Sequence, residues 1–170
     1  MKMNGKIFNN NCNMFKKIFF LKIIILFFFI SKVKAFENNA EQLIQSTTEN
    51  AKAIILDNSI KIKDKKKKIE QIALKVVDVD GLSRFILGSS KNDLTNEQLK
   101  IYTKTFRVFF AKNISSRLQN YSDQNIKVIG SKKISDNYVL VKSKMVSKKD
   151  EQEIKIDWRV FKIKDKLVIR

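Results

Sequence analysis

The chain has 170 residues, enough to bury one sizeable core, with no His, no Pro and a single Cys at position 12. Those absences exclude His-based acid–base catalysis, a Cys nucleophile or a His/Cys metal site past position 12, and any intrachain disulfide. The net charge is +18, but 30 of the 35 basic residues are Lys, spread evenly and accompanied by much Asn and Ile; nucleic-acid surfaces favour the bidentate fork of Arg, so the charge reads as compositional bias and not as a nucleic-acid footprint.

Residues 1–35 have the layout of a secretory signal. Lys16 and Lys17 form a basic n-region, Ile18–Ile30 is apolar except for Lys22, and Val33-Lys34-Ala35 offers a cleavage site after Ala35. Thirteen residues fall short of the roughly 20 that span a bilayer. The competing reading is an uncleaved anchor. Cleavage would remove seven Lys and no acid, taking the net charge from +18 to +11 and leaving no Cys, a composition suited to an oxidising compartment.

Asn38–Ile60 predicts an amphipathic helix, with Ala40, Leu43, Ile44, Thr47, Ala51, Ile54 and Ile55 on its apolar side. The basic run Lys61–Lys68 reads as a solvated linker and first helical turn, with a lipid-headgroup or DNA patch as the sharper alternative, and Ile69, Ile72, Ala73 and Val76 continue a second helix. Asp80 is the expected N-cap of a short helix over Leu82–Leu87, with Gly88 just past its end. Asp78 and Asp80 are the tempting carboxylate pair, but a cap and a turn account for both. No catalytic residue, metal site or cofactor is expected.

Thr95–Tyr121 predicts the longest helix, about seven turns or roughly 40 Å. Thr95 and Gln98 form a capping box. Leu99, Tyr102, Phe106, Phe109, Phe110, Ile114, Leu118 and Tyr121 recur at spacings of three and four, giving a broad aromatic face that needs a partner. The period then changes to two. Asn125–Ile134 and Tyr138–Val146 read as strands around the turn Ser135-Asp136-Asn137. Glu153–Ile163 alternates Ile154, Ile156, Trp158 and Val160 inward with Lys155, Asp157, Arg159 and Phe161 outward, and Leu167–Ile169 begins a fourth strand. Helices followed by a meander make an α+β fold, with N-terminal helices packed on an antiparallel sheet of about four strands.

Phe85-Ile86-Leu87-Gly88, six residues, Thr95-x-x-Gln98, the aromatic helix through Phe106 and Phe110, Tyr121, and the strands Tyr138–Val146, Ile154–Ile163 and Lys166–Ile169 follow in an order that resembles the MlaC-type phospholipid-binding (toluene-tolerance) proteins over roughly residues 37–170. The resemblance implies a curved sheet wrapped round helices, as in nuclear-transport-factor-like folds. It also implies a periplasmic carrier that shuttles phospholipid between an outer-membrane lipoprotein complex and an inner-membrane transporter. Two departures stand out: Ser89, Ser90, Lys91 and Asn96 occupy a stretch where the family carries an aromatic and a Pro, and the family's last strand and terminal helix continue past Arg170, so residues 36–170 are expected to form one domain lacking that end.

A lipid carrier needs a dry slot more than it needs polar groups. Its expected lining is Phe85 and Ile86 on the short helix, Tyr102, Phe106, Phe110, Ile114 and Leu118 on the long one, and Val139, Val141, Met145, Ile156, Trp158 and Val160 on the sheet. Pattern alone reads all of these as core; the resemblance reads the set as a lipid-binding wall. Leu99 and Ile126 are expected to be plain core. The alternatives are an enzyme of the same broad fold and a membrane-tethered or exported non-catalytic interaction module.

Overall fold

The computed structural model describes residues 35–117, 124–147 and 153–170. The chain divides into Met1–Phe36 and Glu37–Arg170, and the fold is that of the larger unit. The expected signal segment, as well as Leu118 and Tyr121, lie outside the described residues.

Among the described residues four helices precede four strands. The first, α1, covers 35–56. It stops short of the expected Ile60 because Asp57 takes the backbone N–H and hydroxyl of Ser59, at 2.9 and 2.6 Å, and turns the chain. Next come α2 (Ile62–Val76), α3 (Val79–Leu87), a 3-10 segment Gly88–Asp93 and α4 (Asn96–Ser116). The expected capping box opens α4: Gln98 N–H donates to Thr95 Oγ1 at 3.2 Å, and Thr95 N–H to Gln98 Oε1 at 2.8 Å. The start of α3 corrects the sequence reading. Asp78, not Asp80, is its N-cap and accepts from Gly81 N–H at 3.0 Å, while Asp80 lies in the first turn and pairs with Arg107 of α4 at 2.5 Å. Gly88 ends α3 at φ 58°, a left-handed conformation that glycine adopts without penalty.

The strands β1 (Asn125–Ser135), β2 (Tyr138–Val146), β3 (Glu153–Ile163) and β4 (Lys166–Ile169) form one antiparallel sheet in chain order. The register aligns Val139 with Val160, Val141 with Trp158 and Ser143 with Ile156 on the inner face. The three Val residues and Ser143 are essentially completely buried there, as the alternation predicts. β1 is bulged between Val128 and Gly130, so Ile126 and Val128 face inward before the bulge and Ser131 and Lys133 after it. Both later positions meet α1: Ser131 donates to Glu41 at 2.6 Å, and Lys133 N–H to Glu37 at 2.7 Å. The second contact occupies a backbone donor of the first strand, which would otherwise invite pairing with another chain.

Helices and sheet are also stitched at β4. Val77 bridges Ile169 in parallel, Asp78 N–H donates to Ile169 C=O at 2.9 Å, and Arg170 Nε donates to Asp78 at 3.0 Å. α4 lies against α2 through Ser115, whose hydroxyl donates to Glu70 at 2.7 Å, and against α3 through the buried Ser83, whose Oγ lies 3.4 Å from Thr103 Oγ1.

Candidate functional site

Between the helices and the inner face of the sheet is a cavity of about 490 Å³. Its walls come from every layer. α1 contributes Thr47, Thr48, Ala51 and Ile55; α2 contributes Ile69, Ile72, Ala73 and Val76; α4 contributes Phe110 and Ile114; the sheet contributes Ile126, Trp158 and Ile169. Small residues on α1 and α2 leave the space. Ala51 and Ala73 stand where a larger side chain would bridge helix and sheet.

Two polar groups at the wall are held by the protein itself. Thr48 Oγ1 donates back to its own helix, with the Ile44 and Gln45 carbonyls at 2.9 and 3.0 Å. Trp158 Nε1 donates to Ser143 Oγ at 2.8 Å, and that hydroxyl reaches the Ile156 carbonyl at 3.4 Å. Among the described residues no buried side-chain N or O lacks a partner, and no cluster of His, Cys, Asp or Glu could hold a metal. Such a surface excludes water and accommodates apolar groups.

Charge is confined to one end. Gln45, Glu49, Lys52, Arg117, Asn125 and Lys127 line the cavity, and Glu49, Arg117, Asn125 and Lys127 are solvent-exposed, so this set forms a wet rim along the second half of α1, past the end of α4 and at the start of β1. Lys52 Nζ donates to Asn125 Oδ1 at 3.0 Å, joining α1 to β1 across the rim. Gln45 donates to Glu49, and Arg117 Nε donates to Asn113 at 3.3 Å.

Of the expected wall, Phe110, Ile114 and Trp158 line the cavity. Val139, Val141 and Val160 are completely buried core, while Met145 and Ile156 are half-buried on the inner face. Tyr102 and Phe106 are half-buried and continue the aromatic row from Phe110: ring centroids lie 6.3 Å apart for Phe106 and Phe110 and 6.0 Å apart for Tyr102 and Phe106. Phe85 and Ile86 point outward, 69% and 54% exposed, because α3 turns its Val79 and Ser83 side inward. Ile126 is a wall residue and not plain core. The α1 and α2 contributions were missed as a site, although both apolar faces were legible. The signal was the presence of Thr47, Ala51 and Ala73 among larger residues.

The MlaC protein family model matches residues 45–170, about three quarters of the chain. The chain belongs to the MlaC family. No curated protein matches it in sequence. Among solved structures, this MlaC-family chain is similar to a phospholipid-binding protein from Ralstonia solanacearum, solved in complex with a phospholipid. The two share 16% identity with a TM-score of 0.63, over 76% of this chain and 74% of that one. At that identity the likeness establishes the fold, an α+β arrangement of four helices and an open four-stranded antiparallel sheet.

Proposed function

We propose that this MlaC-family protein is a periplasmic phospholipid carrier, not an enzyme, that holds acyl tails in the cavity between its helices and sheet and leaves the headgroup at the polar rim. The observation that carries this reading is the separation of character within one cavity: a wall of Ile, Phe, Trp, Thr and Ala, and charge at one end alone. Each methylene withdrawn from water contributes about 0.8 kcal/mol, so a sixteen-carbon tail gains roughly 12 kcal/mol with no polar anchor. A volume near 490 Å³ falls in the usual range of about 300–1,000 Å³ for ligand sites. Family membership and the phospholipid held by the Ralstonia relative support the same ligand class.

In this reading Phe110, Ile114 and Trp158 touch the tails, and residues 36–170 act as one lipid-binding domain. Residues 1–35 direct export and are removed after Ala35. The loaded carrier then exchanges lipid with outer-membrane and inner-membrane transport complexes. Mass spectrometry of an organic extract of the purified protein is expected to find stoichiometric phospholipid. A folded protein that is lipid-free and takes up none from vesicles would refute carriage. N-terminal sequencing of the exported protein checks the cleavage.

A further inference from the structure

We propose that the end of the molecule carrying the cavity mouth is a docking surface for an anionic phospholipid bilayer, built from the rim cations and a row of lysines that runs from the rim across the outer face of the sheet. The sheet register supplies the row. Lys127 of β1 pairs directly with Lys144 of β2, and Lys144 with Lys155 of β3. Like charges directly opposite one another weaken a sheet, so this arrangement works against folding. Among the described residues Glu153 pairs with the middle member, at 2.8 Å from Lys144 Nζ. Lys127 belongs to both features, since it also lines the cavity rim beside Lys52 and Arg117.

Apolar groups accompany the charge at the same end. Val146 pairs with Asn125 on one side and Glu153 on the other, and Ile154 pairs with Met145. Val146 is 42% exposed and Ile154 49%. Val146 shares the face of the lysines and Ile154 the opposite one, so exposed aliphatic groups flank the row at this end. Basic side chains flanked in this way match the interface of a bilayer rich in anionic lipid, where lysine stems lie along the acyl boundary and ammonium groups meet phosphates. A nucleic acid would match the charge but not the aliphatic groups. Five cations, Lys52, Arg117, Lys127, Lys144 and Lys155, face two acids, Glu49 and Glu153, among the described residues of this end. Docking here turns the mouth toward the membrane surface at which lipid is exchanged. The orientation therefore rests on the carrier reading, whereas the docking itself does not.

The test is partition of the purified protein onto phosphatidylcholine vesicles with and without phosphatidylglycerol. Binding is expected only with phosphatidylglycerol, and it should weaken steeply as salt is raised. Each basic residue near an anionic surface is worth about fivefold in partition, so Lys127→Gln with Lys155→Gln is expected to weaken binding on the order of tenfold or more. The same double variant relieves the repulsion along the row, so its thermal stability should equal or exceed that of the wild type. Glu49→Gln should bind more tightly. Equal binding to neutral vesicles, an unchanged double variant, or no vesicle binding at low salt (the result if an acidic protein is the true occupant) would overturn the proposal. Lipid extracted from the protein after separation from vesicles reads carriage independently: docking without loading would uphold this surface and remove the carrier reading.

Discussion

Asp78 works at the seam between helices and sheet. It caps α3 through Gly81 N–H and is held by the Arg170 guanidinium. Partial burial pushes its carboxyl up, but the hydrogen bonds from Arg170 and Gly81 and the charges of Arg170 and Arg84 outweigh that and hold it below the ordinary carboxylate range. With the folded-state value depressed, the stabilisation is fully present above about pH 5 and is lost as pH falls from about 4 through the folded value. Asp78→Asn is therefore expected to lower stability at neutral pH by about 1 kcal/mol, a modest figure because Arg170 is partly exposed. Thermal melts should show the gap from wild type closing as pH falls below the ordinary carboxylate range and through the depressed folded value. Ser143 has a different role. Buried behind the cavity wall, it fixes the indole of Trp158. Ser143→Ala leaves that N–H without its acceptor and is expected to cost about 1–3 kcal/mol, read as a lower urea midpoint at unchanged m-value. Trp158 is the chain's single Trp, so its emission reports the same change directly.

At the scale of elements, β1 shows how one residue sets a strand's facing. Gly130 adopts φ 142° at the bulge, and no atom lies within 4 Å of where a Cβ would stand. The conformation, not space, therefore demands glycine. The bulge turns Ser131 and Lys133 toward Glu41 and Glu37 of α1. Gly130→Ala is expected to cost about 1–3 kcal/mol by strain, with amide exchange rising first along β1 and α1 as those contacts loosen. The isolated glycine was visible in the sequence, but the register change was not, since alternation in β1 was weak. α3 shows a related limit. Its nine residues carry Leu82, Phe85, Ile86 and Leu87, too many apolar groups for one side, and propensity does not say which side packs. Ser83 and Val79 face inward because small side chains allow close approach to Thr103 of α4.

The whole molecule turns on whether the space between helices and sheet is filled. Ala51→Phe puts a ring into the cavity from α1. If the space exists to hold a tail, this variant should lose phospholipid binding while the lipid-free protein melts no lower than lipid-free wild type, because filling a void restores contacts. The wild type should gain thermal stability from lipid by mass action, about 2.7 kcal/mol at a hundredfold excess over Kd, and the variant should gain none. A variant that still loads lipid would place the tail elsewhere. No helix among the described residues is long and apolar enough to cross a membrane.

Periodicity by itself determined the helices, the order of the strands and the inward set Val139, Val141, Trp158 and Val160, because side-chain direction repeats every 3.6 residues in a helix and every two in a strand. The Thr95–Gln98 capping box was equally local, needing only four residues. Tertiary structure alone decided that the apolar faces of α1 and α2 do not meet the sheet everywhere, and that Phe110, Ile114, Ile126 and Trp158 border a cavity while Val139 is sealed in core. An apolar stripe states that a face leaves water; the distance to the opposing face depends on the sizes of side chains far apart in sequence, Ala51 and Ala73 on one side and Ile126 and Trp158 on the other.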